Sequence, residues 1–404
     1  MNQPLFLHIV ERLEGFLAKL PEKLQKPILH ELVPLKELFL KQRSPRIVLA
    51  GSHKLPVQEV FAALFAVSAA AEVHDVLVEV FRWQEMAVGD FGNVNLLDAR
   101  GADEGAIRTV VAELAQQPAD IFLCLADGNS ARPLLQRDIE NLAKLIAANG
   151  ALAVPAKVIG VSLVAPRRRS GGDHNGHASG SETSSGRSKF HDALTARPEI
   201  AEHFLQVLEL PLSRGDGNAA ETSAGAARLM ALLARELPNE ARVEMIRISR
   251  DRGAQNEIAQ VLVKSTSAMC AAIGAQPIPL ADMPVLTTLQ LVMVSGIMYV
   301  SGRERSLRAS TEFLAALGVN VGAGMILREG TRAVLKFFPG WGNVVCGMVA
   351  GAGTYALGKA ATAYFIEGVS LKDARLTYVR SRKKSRQPKL LAARSEGENG
   401  RGGN

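Results

Sequence analysis

The sequence predicts an α/β protein: a mostly parallel sheet with helices on both faces, preceded by a helical extension and joined to an all-α hydrophobic module. Three observations carry this. Between residues 44 and 240, short apolar runs alternate with segments whose apolar residues recur at helical spacing, as in a parallel sheet wrapped on both sides. Beyond residue 280, long uncharged runs replace that alternation. Of the 404 residues, 47% are hydrophobic and only 5% aromatic, a balance that fills cores with small aliphatics and excludes a disordered chain.

Residues 1–43 read as two helices. Leu5, Ile9, Leu13, Phe16, Leu17 and Leu20 mark one apolar stripe, and Ile28, Leu32, Leu35, Leu38 and Phe39 mark the next. Pro21 opens the second helix, while Pro27 and Pro34 break it. Acidic residues and the lack of an unbroken apolar run set the N-terminus apart from a secretory signal.

The stretch from Ser44 to Phe65 organises the rest of the chain. Ile47-Val48-Leu49-Ala50 is a buried-strand run, Gly51 opens a turn, and an amphipathic segment comes next. Strand, glycine turn and helix form the scaffold of a phosphate-binding loop. Such a loop carries a second Gly, then Lys, then Ser or Thr, about five to seven residues after the first Gly. Pro56, Val57 and Gln58 hold those places here. Pro56 has no amide to offer a phosphate, Val57 no charge and Gln58 no hydroxyl for Mg²⁺.

Asp75 to Met86 alternates like a strand, Gly89 to Gly92 makes a turn, and Val94 to Leu97 returns. The return ends in Asp98-Ala99-Arg100-Gly101, the D-x-x-G pattern in which GTPases hold Mg²⁺ through the Asp and sense the γ-phosphate at the Gly amide. A helix (Glu104 to Gln116), a strand (Asp120 to Asp127), a helix (Arg137 to Asn149) and a strand (Lys157 to Val164) come after it. Where GTPases end that last strand in N-K-x-D, this chain has Ser162-Leu163-Val164-Ala165. Residues 167–189, rich in Gly, Ser and charge, read as a disordered insert, in which His174 and His177 lack a third ligand for a metal. After Phe204 to Leu208, strand-like, Arg214 to Gly225 reads as a second flexible piece and Ala226 to Leu237 as a helix.

This order resembles the Era/TrmE-type GTPase domain over about residues 45–240, with D-x-x-G kept, the phosphate loop eroded and N-K-x-D missing. Further on, Ile273-Gly274-Ala275-Gln276-Pro277-Ile278-Pro279-Leu280-Ala281-Asp282, the run from Leu286 to Met293 and the segment ending Ala363-Tyr364-Phe365 resemble the YcjF-type hydrophobic domain that follows the G domain in predicted bacterial GTPases. The resemblance implies a degenerate G-like domain at 44–240 and a hydrophobic helical domain at 241–371; residues 372–404 read from their composition as a basic disordered tail. The resemblance implies a vestigial nucleotide site of Gly51, Ser52, His53, Lys54 and Gly101, with Asp98 as the metal residue and GTP and Mg²⁺ as its cofactors. It also implies a place at the cytoplasmic face of a bacterial inner membrane.

Met283 to Gly302 and Phe337 to Gly358 are uncharged runs of 20 and 22 residues, long enough to cross a bilayer as helices; Phe313 to Leu327, at 15, is short for that. The pairs Gly318/Gly322 and Gly347/Gly351 allow close helix approach. Between the long runs lie Arg303, Arg305, Arg308, Arg328, Arg332 and Lys336, a basic loop that a two-crossing hairpin would export against the positive-inside tendency. A spanning hairpin and a peripheral all-α bundle therefore both stay open.

The formal charge of +7 is concentrated near the end: Lys372 to Arg394 holds nine Lys or Arg and one Asp. That favours an anionic lipid surface over nucleic acid, because only Tyr378 supplies an aromatic ring among the cations and no nucleic-acid module appears. Cys124, Cys270 and Cys346 stand apart in apolar contexts, which fits a reducing compartment without disulfides. The chain lacks G-x-S-x-G, H-E-x-x-H and paired cysteines, so serine-hydrolase and zinc chemistry have no support. The functional expectation is a membrane-associated scaffold or regulator with little or no GTP turnover and a protein partner that no motif names. The alternative is a divergent NTPase using Lys54, with His53, and Asp98 in a remodelled phosphate site.

Overall fold

In a computed structural model, the described residues are 41–55, 61, 64–65, 81–89, 91–130, 134–150, 157–164, 180–211, 219–275, 282–318 and 341–383, with single positions at 25, 26 and 29. They belong to two compact units, Arg43–Asp251 and a second comprising Met1–Gln42 with Arg252–Asn404. The stripes expected in residues 1–40 fall almost wholly outside the described residues, as do Pro56, Val57, Gln58, His174 and His177.

The first unit is built on β1 (Arg46–Gly51), β2 (Gln84–Val88), β3 (Gly92–Asp98), β4 (Ile121–Asp127), β5 (Val158–Val164) and β6 (Phe204–Pro211). They form one sheet in the order β2-β3-β1-β4-β5-β6. Only β2 runs antiparallel to its neighbour, in a hairpin closed where Phe91 N donates to the Val88 carbonyl at 3.2 Å. Residues 81–83, expected in that first hairpin strand, precede it as turn and irregular backbone, so the strand begins at Gln84.

Runs without alternation become strands buried on both sides. In β1 and β4, Val48, Ala50, Phe122, Cys124 and Ala126 join one core with α1 (Glu104–Gln116), α2 (Gln136–Gly150) and α3 (Gly180–Thr195). Ile47, Leu49, Ile121, Leu123 and Leu125 alternate with them and are equally buried on the other side. After the single-turn α4 (Pro198–Ala201), α5 (Ala219–Glu236) packs beside β6 and α6 (Asn239–Ser249) beside β3.

Two compositional readings are corrected. Residues 180–189, assigned to a disordered insert, are the first part of α3, and residues 219–225, assigned to a flexible piece, open α5. In α3 the anchors Phe190 and Leu194 are fully buried against the sheet, and burial of such side chains outweighs a polar N-terminal half. Residues 167–179 lie outside the described part.

The second unit contains α7 (Arg252–Gly274), α8 (Asp282–Val300), α9 (Leu307–Ala316) and α10 (Trp341–Thr362), which runs into a π-helical turn (Ala363–Glu367). A further helix, α11, spans residues 371–383 and so replaces the first part of the expected disordered tail. Among the described residues no helix is long and apolar enough to cross a membrane. Antiparallel α7 and α10 meet through glycine. A Cβ on Gly347 would lie 2.5 Å from the Ala271 carbonyl, one on Gly351 2.8 Å from Ala271 Cβ, and one on Gly358 2.4 Å from Val263 Cγ2. The Gly347/Gly351 pair thus permits the approach its spacing predicts. Gln290 donates to Thr354 Oγ1 at 2.9 Å in the same bundle, and burial pushes the Cys270 thiol up to about 12.

Candidate functional site

The sheet order places β1 between strands reached in opposite directions: the chain leaves β1 toward β2 and β3, then leaves β4 toward β5. Such a switch point opens a crevice at the carboxyl ends of the strands. The residues expected to line a nucleotide site converge there. Parallel pairing sets Leu49 opposite Asp98 on β3, and Gly51 opposite Leu125 on β4.

Gly51 has φ +95°, and a Cβ there would fall 2.3 Å from the Leu125 carbonyl oxygen, so backbone close to backbone demands glycine. Ser52 N donates to that same oxygen at 2.9 Å, which turns the loop back over β4. Beyond it His53 and Lys54 are exposed and Leu55 is buried. Gly101, at φ +67°, lies against His53: a Cβ would stand 2.7 Å from the His53 Cβ. The loops after β1 and β3 therefore touch, His53 of the one against Gly101 of the other.

Asp98 is occupied. Arg100 donates from Nε to Asp98 Oδ1 at 2.8 Å and from Nη2 to Oδ2 at 2.7 Å, and its backbone N reaches Oδ1 at 3.1 Å. The third guanidinium nitrogen, Nη1, donates to the Leu55 carbonyl at 2.9 Å. The Arg100 and Asp98 side chains are 2% and 11% exposed, so this is a buried bidentate pair that also ties down the loop after β1. Both carboxylate oxygens face a cation supplied by the chain itself, and a metal ion approaching Asp98 would have to displace it. The donor set does not fit a resident Mg²⁺. Among the described residues, no three His, Cys, Asp or Glu side chains are grouped to hold a metal.

A second buried acid borders the same crevice. Asp138, in the first turn of α2, accepts from Leu135 N at 3.2 Å. Burial raises its carboxyl above the ordinary range, against the Leu135 hydrogen bond and the nearby charges of His53 and Arg137. The neighbouring Arg137 Nη2 and Asn141 Nδ2 donate to the Ala102 carbonyl at 2.7 and 2.9 Å, fastening the loop after Gly101 to α2. At the end of β4, Asn129 N donates to Asp127 Oδ1 at 2.9 Å, closing a turn. Beneath, the Cys124 thiol is held protonated by burial and by the charge of Asp138.

The structure thus brings together Gly51, Ser52, His53, Asp98 and Gly101 and leaves Lys54 facing solvent. Sequence reasoning missed Arg100 and Asp138. A cation two residues after the Asp of D-x-x-G was the visible signal for the first. For Asp138 there was none, because an acid in the first turn of a helix is ordinary. Compared with known proteins, the chain matches no family model and no curated protein.

Proposed function

We propose that the first unit is a G-like domain whose phosphate and metal chemistry has been replaced by internal contacts, and that the protein works as a membrane-associated scaffold or regulator without appreciable GTP turnover. The observation that carries this is the Asp98–Arg100–Leu55 latch. In a GTPase the D-x-x-G Asp meets hydrated Mg²⁺, and the loop after the first strand is ordered around phosphate. Here Arg100 neutralises the carboxylate and holds the loop by the Leu55 carbonyl, so neither ion is needed to set the geometry. The strand order, with a single reversed edge strand, supports the G-like reading, as does the position of Gly51 and Asp98 at the carboxyl ends of the neighbouring strands β1 and β3. The basic C-terminal stretch supports attachment at an anionic inner-membrane surface, on its cytoplasmic side.

Fluorescent GTP, GDP and ATP analogues titrated against the full-length protein, with and without Mg²⁺, test this directly. No Mg²⁺-dependent binding is expected up to millimolar nucleotide. Micromolar, Mg²⁺-dependent binding abolished by Asp98→Ala would overturn the reading and establish the alternative, a divergent NTPase. That alternative draws on one observation: exposed His53 and Lys54 stand at the mouth of the crevice.

A further inference from the structure

The chain leaves the π-helical turn through Gly368, whose φ of +75° only glycine adopts freely, and starts α11 with a side-chain cap. Ser370 Oγ accepts from Asp373 N at 3.2 Å and donates to Asp373 Oδ2 at 2.7 Å. The one acid of the helix is thereby tied to its first turn. Inward, α11 presents small or hydroxylated residues: Ala374 is fully buried, while Thr377, Tyr378 and Ser381 are half-buried. Those positions recur at helical spacing and form the face by which the helix is anchored.

The opposite face is unusual. Leu376 and Val379 are each 44% exposed there, and beside them stand the exposed cations Lys372, Arg380 and Lys383. Ordinary solvated helix faces scatter single apolar residues; here two large ones adjoin, three positions apart, within a strongly basic face. Residues after the helix repeat that chemistry in sequence, with Lys384, Arg386, Lys389 and Arg394 around Leu390 and Leu391.

We propose that this outer face of α11 docks on an anionic lipid bilayer, with Leu376 and Val379 entering the headgroup boundary and the flanking cations meeting lipid phosphates. The proposal rests on the membrane half of the proposed function and is independent of its nucleotide half. Charge complementarity selects an anionic surface, and the aliphatic side chains select a bilayer over a nucleic acid. A phosphodiester backbone has no use for exposed Leu and Val, and single strands stack on aromatic rings, whereas the single ring of this helix, Tyr378, belongs to the inner face.

Cosedimentation of the full-length protein with phosphatidylcholine vesicles, with and without about one third phosphatidylglycerol, tests it. Binding should require the anionic lipid and weaken as salt rises. The triple variant Lys372→Gln, Arg380→Gln, Lys383→Gln should bind about tenfold or more weakly. Leu376→Ser with Val379→Ser should lose about tenfold while keeping every charge. All these positions are exposed, and unchanged circular dichroism would verify folding. Variants that bind like the parent would overturn this surface while leaving membrane association standing. Equal binding to neutral vesicles, or a preference for duplex DNA over anionic vesicles, would overturn the lipid assignment. No vesicle binding by the parent would remove both this surface and the membrane half of the proposed function, without touching the nucleotide result.

Discussion

At the residue scale, a carboxylate at the end of a parallel strand takes whatever cation the fold brings to it, and for Asp98 that cation is Arg100. Removing one partner of so buried a pair leaves an uncompensated charge, so Arg100→Met should cost about 3 kcal/mol of stability, read by urea unfolding of the full chain. The double change Asp98→Asn with Arg100→Met should recover part of that loss, because no stranded charge remains. Asp138 makes a prediction of opposite sign. Its carboxyl is raised, so the folded chain binds that proton more tightly than the unfolded chain. The resulting loss of stability is absent below the ordinary aspartate range and complete above the folded value. Asp138→Asn should therefore stabilise the protein at neutral pH, with the gain vanishing as pH falls below that range; urea unfolding at a series of pH values would show it. D-x-x-G made Asp98 and Gly101 legible as a pair, but no spacing rule announces that an intervening side chain will turn back to fill the site.

At the element scale, the strands were legible because both-face burial demands continuous apolar runs, and Ile47–Ala50 and Ile121–Ala126 have nothing else to do. Helices α3 and α11 were not, since polar composition was weighed without the few anchors that decide docking: Phe190 and Leu194 in one, Ala374 in the other. The glycine seam of α10 was legible as a spacing, although its partner helix was not. Each of those glycines lets α7 approach closer than any side chain would permit. Gly351→Val should thus push the helices apart and destabilise the second unit by about 3 kcal/mol, while substitution at Gly353, which has nothing within 4 Å of its Cβ position, should cost no more than about 1 kcal/mol. Paired thermal melts would separate the two.

At the scale of the whole molecule, the first unit is closed at the end of the sheet opposite the crevice. Arg43 grips the buried Asp120 with two hydrogen bonds of 2.7 and 2.6 Å, and Asp120 Oδ2 also accepts from Arg46 N at 2.9 Å. Arg43 N reaches the Glu240 carbonyl at 2.9 Å, and α6 lays Glu244 against Gly92 and Asn93 on β3. Residues 43–251 carry all of these contacts, so that fragment should fold cooperatively by itself. A fragment of 44–240 lacks Arg43 and nearly all of α6, and it should melt lower by at least about 10 °C in the same circular-dichroism scan. What residue order alone determined was the alternation of buried strands and helices, the glycines at two strand ends and the concentration of positive charge near the C-terminus, because periodicity, backbone freedom and charge are properties of the chain itself. What only the folded molecule decided was who meets whom: Arg100 on Asp98, α7 on the glycines of α10, and which face of α11 is left to solvent. Those are distances between residues that the chain brings together only by folding, and no local pattern encodes them.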